Sequence, residues 1–360
     1  MRSERGMIGA WIGAVLAAWV PSHAYAACQM IMPGDAGGKA NTIIFKGCNI
    51  EINNGSGTTA TVNGLGNLTV GYNESRGSGH DQRGGSHNVV VGSRHNFSGY
   101  GGLVVGYQNE TSGGYATVNG GSENVADGPY AAVAGGRANR ATGAYGSVTG
   151  GQYGQAVGGS SMVLGGWNNV ARANFATVAG GRNNEATSST PADPYAASYA
   201  TVVGGATNVA SGQSAVVAGG LNGVASGLDA TVTGGYSNAA TGSYAVVTAG
   251  GWNEAFGSYS AVTGGEFGTA TGAAASVSGG SNNSAQGPST AVSGGTLNVA
   301  VGEFSAVCGG EANYANAIAG AVGGGLGNQA NGHWSSVSGG YARSAAGDKD
   351  WVGGGLTQGD

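Results

Sequence analysis

From residue 104 onward the apolar positions of the chain recur with a period of fifteen. The Val of fragments such as Ala116-Thr117-Val118-Asn119-Gly120-Gly121 returns at 133, 148, 163 and 178, then at 202 and at every fifteenth residue to Val352. Counted from this Val as place 0, all sixteen coils have Gly at place +3, and Gly at +2 fails only at Ala249. Place +8 is Ala in all fifteen complete coils. Place +10 is Gly in twelve of them, the exceptions being Ala173, Ser188 and Ala317. Two looser coils precede the run at Val90 and Val104, fourteen apart, and Leu68-Thr69-Val70-Gly71 suggests one more.

A period this short and constant predicts an all-β solenoid. Fifteen residues are too few for a helix-turn-helix repeat, and a helix this rich in Gly would lose about 1 kcal/mol per Gly relative to Ala. Two short strands and two tight turns fit, extending parallel sheets at about 4.7–4.9 Å per coil, so that sixteen coils make a rod of about 75–80 Å. Place +6 is Asn in eleven coils and Gly at 154, 223 and 268. Both residues tolerate positive φ, which predicts a left-handed turn there, and a stacked Asn column predicts side-chain bonds between coils. Pro129 and Pro288, both at place −4, agree with a turn. The core is thin: one Val, one Ala and the small residue at −2 (Ala116, Ala131, Ala176, Ala200) per coil. Burying a further face against sister chains would supplement it, which predicts an oligomer.

Ahead of the repeats, Thr42-Ile43-Ile44-Phe45 and Cys48-Asn49-Ile50-Glu51-Ile52 read as two strands divided by Lys46-Gly47. The first 26 residues read as a secretory signal. Arg2 and Arg5 open it, Met7 to Val20 is apolar, Pro21 breaks the run, and Ala24-Tyr25-Ala26 has the small-x-small form of a cleavage site after Ala26. Cys28 is close enough to raise a lipid-modified cysteine, but Tyr25 stands where such sites want an aliphatic residue. In an exported chain Cys28 and Cys48 are expected to form a disulfide. Cys308 is expected to be a small buried or half-buried side chain and not a nucleophile. The resulting organisation is a signal over 1–26, an N-terminal β capping region over 27–66, and solenoid repeats over 67–360.

Composition narrows the reading. Gly numbers 77 and Pro six of 360 residues, and only 9% are charged, which excludes a helical bundle or a Leu-packed α/β enzyme. Gly does not recur every third residue, so collagen is excluded. The formal charge of −5 becomes −6 once Arg2, Glu4 and Arg5 leave with the signal. A mildly acidic exported chain is a poor nucleic-acid binder. No second apolar segment predicts an integral membrane span in the mature chain.

The run Tyr115-Ala116-Thr117-Val118-Asn119-Gly120-Gly121 with Ala126 and Gly128, repeated in register, resembles the head domain of YadA-like trimeric autotransporter adhesins. The resemblance covers residues 68–360 and the head repeats alone, without the family's stalk and membrane anchor. It implies a left-handed parallel β-roll and a homotrimer of interlocked coils. It also implies an adhesive role toward a host or environmental surface, matrix protein or glycan, on the outer membrane surface of a Gram-negative cell or secreted from it.

No enzyme motif is found, and neither a cofactor nor a metal is expected. The carboxylates do not recur at a fixed place, so the paired acids of a glycosidase are not indicated, and Asp229 and Glu254 read as solvated. His80, His87 and His95, near Asp81, lack ligand spacing. Gly pairs beside Val have no Lys-Ser/Thr and open no helix, so they are no phosphate loop. Two features fit recognition. Nine of sixteen coils place an aromatic at −3: Tyr115, Tyr130, Tyr145, Phe175, Tyr199, Tyr244, Tyr259, Phe304 and Trp334. This column reads either as a ladder supporting coil stacking or a subunit interface, or as a sugar- or protein-binding strip. The step from Val178 to Val202 carries nine extra residues around Thr187–Tyr195, including Pro191, Asp193 and Tyr195, a surface loop of the kind that binds or is merely tolerated. The leading expectation is a non-enzymatic exported adhesin-like or structural solenoid. The alternatives are an ice-binding solenoid, from Thr231-Val232-Thr233 and Ser147-Val148-Thr149, a polysaccharide-active β-helix, or a phage-fibre-like rod. Asp348-Lys349-Asp350 break the pattern of the final coil and predict a charged end that discourages open-ended stacking.

Overall fold

The computed structural model describes residues 28–77, 79–188 and 198–353. The expected signal with its cleavage after Ala26, and Pro191, Asp193 and Tyr195 of the insertion, lie outside the described residues. The chain divides into two compact units, one ending at Glu51 and one beginning at Ile52.

In the first unit Gln29–Ile31 pairs antiparallel with Ile44–Lys46, setting Met30 opposite Phe45. Cys28 and Cys48 are joined by a disulfide, with Cα atoms 4.8 Å apart. This arrangement corrects the strand expectation. Cys48–Ile52 forms no strand, because the upstream Gln29–Ile31 takes the pairing edge of Ile44–Lys46 and Gly47, at φ 70°, turns the chain away. A two-stranded ribbon is marginal in water, and the cross-link restricts the open chain that competes with it.

The second unit is a parallel β-solenoid, and no helix occurs among the described residues. Its first sheet runs from Leu68–Val70 through Val89–Ser93, Leu103–Tyr107 and Thr117–Val118 to Trp351–Val352. The second runs from Asn96–Phe97 through Glu110–Thr111 and Val125–Ala126 to Ser344–Ala345. Pairing is in strict register, Val118 beside Val133 beside Val148 and Ala126 beside Ala141 beside Ala156. A third row of single bridges joins place +4 of successive coils, Ser122 to Arg137 to Gln152. Thr177–Val178 pairs directly with Thr201–Val202, so the first sheet continues past the insertion without a missing rung.

Each coil is two similar halves. A left-handed residue stands at −3, with φ between 52 and 67° in all sixteen coils, and another at +5, as in Glu123, Trp252 and Phe267. After each, the chain alternates inward and outward: −2 and 0 point in, then +6 and +8. The +6 expectation is thereby corrected. The left-handed residue is the one before it, and the Asn itself turns into the core, where Asn124, Asn139, Asn253 and Asn313 are buried.

The buried Asn is what the thin apolar core accommodates. Val at 0 from Val118 to Val337 and Ala at +8 from Ala126 to Ala345 are buried, and Val352 of the last coil is partly buried. Beside them the Asn side chains form a ladder. The Asn313 Oδ1 accepts from the Asn328 N–H at 2.9 Å, and its Nδ2 donates to the Gly309 carbonyl of its own coil at 2.8 Å and the Gly325 carbonyl of the next at 2.9 Å. The same three bonds recur at Asn124, Asn184 and Asn298. A buried amide satisfied on every side avoids the roughly 1–3 kcal/mol that an orphaned polar group costs. Gly154, Gly223 and Gly268 interrupt the ladder, having no side chain to continue it.

The two Gly columns differ physically. At +3 the backbone is left-handed, and a Cβ on Gly265 would lie 2.2 Å from the Gly280 carbonyl oxygen of the next coil. At +2 a Cβ on Gly264 would meet nothing within 4 Å. The +3 column is accordingly unbroken, and +2 admits Ala249.

Candidate recognition surfaces

The −3 residue occupies the corner that leads into the first sheet, where its N–H bonds a carbonyl of the preceding coil, as Tyr130 N–H does to Gly114 at 2.9 Å. Placing a bulky residue in the left-handed region costs about 1–2 kcal/mol. Stacking offsets much of this, since a ring pair contributes about 0.5–1.5 kcal/mol beyond its burial. Tyr115, Tyr130 and Tyr145 stack with centroids 5.2 and 4.9 Å apart, and Phe175 with Tyr199 and Tyr244 with Tyr259 at 5.1 and 4.8 Å. Within these runs each ring turns at least one face to its neighbour. Phe304 and Trp334 differ: Ser289, Ala319 and Lys349 occupy the adjoining coils, leaving both rings outside any stack in this column. All nine aromatics are exposed by 40–65%.

A second aromatic group, missed in the sequence, lies at the equivalent corner ahead of the second sheet. Trp252 stacks on Phe267 at 5.1 Å and meets Tyr236 edge-on at 4.7 Å, and Tyr153 meets Trp167 edge-on at 6.3 Å. These residues alternate between places +4 and +5 amid Asn, Ser and Ala, so no single column announced them. The signal available was the equivalence of +5 with −3, which emerges once the coil is seen as two halves.

The histidines near Asp81 are separated by role. His95 is buried and stands in the Asn ladder. Its N–H donates to Asn73 Oδ1 at 2.8 Å, its Nδ1 accepts from the Asn109 N–H at 3.2 Å, and its Nε2 lies 3.1 Å from the Val91 carbonyl. Burial pushes its pKa down, against hydrogen bonds that favour the proton. This partner set requires the neutral ring with hydrogen on Nε2, so the imidazole imitates a carboxamide. His87 accepts from the Asn54 N–H at 3.1 Å. His80 lines a polar cleft of about 440 Å³ with Arg76, Gln82, Asn96, Gln108 and Glu110. There Arg76 is engaged by Glu110 at 3.2 Å and by the carbonyls of Arg94, Gln108 and Asn109. Asp81, held below the usual carboxylate range first by the Ser75 hydroxyl and then by the Arg76 N–H, also faces Arg83. These groups fasten residues 72–77 and 79–86 onto the first coils. Among the described residues no three His, Cys, Asp or Glu side chains are grouped to hold a metal.

Cys308 corrects its expectation. It is exposed, at place +1 on the outer face of the first sheet, because alternation turns it away from the core that buries Val307. Asp229 is exposed at a −3 corner, and Glu254 lies on the outer side of the second sheet. In the last coil Asp348 accepts from the His333 N–H at 2.9 Å and Asp350 from the Gly347 N–H at 2.6 Å, so both carboxylates bond backbone at the turn. No helix of the described residues is long and apolar enough to cross a membrane. No family model and no curated protein matches this chain, so what is established of its kinship is the architecture alone, a parallel β-solenoid of about fifteen residues per coil.

Proposed function

We propose that this protein is a non-enzymatic, exported, adhesin-like rod, displayed on the outer membrane surface of a Gram-negative cell or released from it. In this reading it assembles as a homotrimer, and it attaches to a matrix protein or glycan. The observation that carries the reading is the pair of exposed aromatic corners repeated along one solenoid, a multivalent array in which weak contacts add. The resemblance of the repeats to YadA-like heads supports the same assignment. The test is retention of the protein, purified after export, on immobilised matrix proteins and polysaccharides, beside variants Phe304→Ser/Trp334→Ser and Tyr130→Ser/Tyr145→Ser. Binding that falls at least tenfold in either aromatic variant, with the fold intact, is expected. Equal retention of all three proteins would refute the aromatic corners as the contact. Turnover of a pectin-like polymer would remove the non-enzymatic part, and light scattering reads the trimer.

A further inference from the structure

The outer face of the first sheet consists of places −1 and +1, the side chains that flank each buried Val and point away from the core. Over sixteen coils, from Thr117 and Asn119 to Trp351 and Gly353, these positions contain no Asp, Glu, Lys, Arg or His. Most are Ala, Ser, Thr or Val. The outer face of the second sheet is of another kind. It carries Asp127, Arg140, Arg172, Glu185 and Glu254, with ion pairs Arg140–Asp127 and Arg172–Glu185. The first sheet's strip is therefore without charge over all sixteen coils, whereas the second is charged chiefly between residues 127 and 185 and again at Glu254. Parallel sheets are characteristically covered on both faces, and strands without outward charge are the pattern of the covered kind.

We propose that the outer face of the first sheet is buried against a second copy of this chain. The inference rests on the homo-oligomeric part of the function proposed above and adds which surface closes the assembly. Fifteen steps of about 4.8 Å give a strip about 70 Å long, and the three residues at places −1 to +1 make it about 10 Å wide. That is about 700 Å² per copy and about 1,400 Å² in total, inside the range of about 1,200–2,000 Å² for stable specific interfaces. Small side chains let neighbouring strips approach to about 10 Å, and three strips turned toward one axis, each meeting the other two copies, close the homotrimer. The coil repeat favours a copy as occupant, since another chain with the same rise meets the strip in the same way at every rung.

Cys308 lies on this strip and is exposed in the single chain, so it reports whether the face is covered. The experiment compares the protein purified after export with Thr263→Lys/Ser278→Lys, on the strip, and Thr271→Lys/Gln286→Lys, on the opposite face. Mass is read by light scattering, fold by circular dichroism, and Cys308 by its alkylation rate with iodoacetamide. The expected result is a multimer that falls to monomer mass only in the strip variant, with Cys308 alkylated at least tenfold more slowly in the wild type than in that variant. Should the strip variant fail to fold, slow alkylation of the native wild type, made fast by dilution to monomer, carries the same conclusion. A wild-type multimer whose Cys308 reacts as fast as a free thiol overturns the face and leaves the homo-oligomer standing. A monomeric wild type overturns both.

Discussion

Replacing Asn313 by Ala tests the ladder at a rung with Asn on both sides, Asn298 and Asn328. The substitution removes the acceptor for the Asn328 N–H and the donor for the Gly309 and Gly325 carbonyls, in a position with no solvent exposure. The Gly325 oxygen keeps the Glu311 N–H at 2.8 Å, so the groups left facing an apolar wall are the Asn328 N–H and the Gly309 carbonyl. At about 1–3 kcal/mol for each orphaned group, the expected cost is about 2–6 kcal/mol. Asn331→Ala is the matched control, since Asn331 is exposed and its bonds to Asn316 and Ser344 compete with water. It should stay within about 0.5 kcal/mol. Because solenoid coils open locally as well as globally, native-state hydrogen exchange is the sharper assay. Protection around Asn328 should fall by about 30-fold to about 20,000-fold, at a factor of ten per 1.4 kcal/mol. The urea midpoint should fall with it. If protection of the 313–328 coils and the midpoint move no further in Asn313→Ala than in Asn331→Ala, the ladder does not hold the coils together and the reasoning fails.

The converse change, Gly268→Asn, restores a missing rung. Its Cβ would meet Asn253 Oδ1 at 3.0 Å and two Val methyls at 3.2 and 3.3 Å, contacts that must relax by a few tenths of an ångström; the restored ladder bonds are expected to raise the unfolding free energy by about 1 kcal/mol in urea titration, and a loss would show that the rung cannot relax. Gly265→Ala should destabilise by at least about 3 kcal/mol, from positive φ together with the clash on Gly280, while Gly264→Ala should change little, and equal urea midpoints would contradict the distinction between the two columns. His95 should make the first coils acid-labile. Its folded-state pKa lies below that of the open chain, so stability is complete above the unfolded value of about 6.5 and is lost as pH falls toward the folded value, with Arg76 the nearby charge that further disfavours the proton. Hydrogen exchange of residues 87–110 between pH 7.5 and 5 should show the loss in the wild type and a flatter profile in His95→Asn, and identical profiles would remove His95 as the cause.

The sequence by itself determined the architecture. An invariant Val, Gly and Ala at fixed places can repeat sixteen times only if every coil meets the same surroundings, which is the condition of a stacked solenoid. It also determined that Asn bonds would run between coils. Its error was one residue in phase: Asn and Gly share tolerance of positive φ, yet the left-handed position at +5 holds Glu, Trp, Phe and Leu as readily, because the turn is imposed by the bonds of the coil before it. Only the tertiary structure decided which small residues face inward. Gly264 and Gly265 look alike in the chain and differ because a Cβ on Gly265 would lie 2.2 Å from the next coil, whereas one on Gly264 would meet nothing within 4 Å. The same holds for Cys308, whose exposure follows from its phase against Val307, and for Cys48–Ile52, which forms no strand because its neighbour was already paired. His95 is the clearest case. Nothing in its local sequence marks it as a stand-in for Asn, since that role is created by Asn73 and Asn109, 22 and 14 residues away, which stacking brings to either side of its ring.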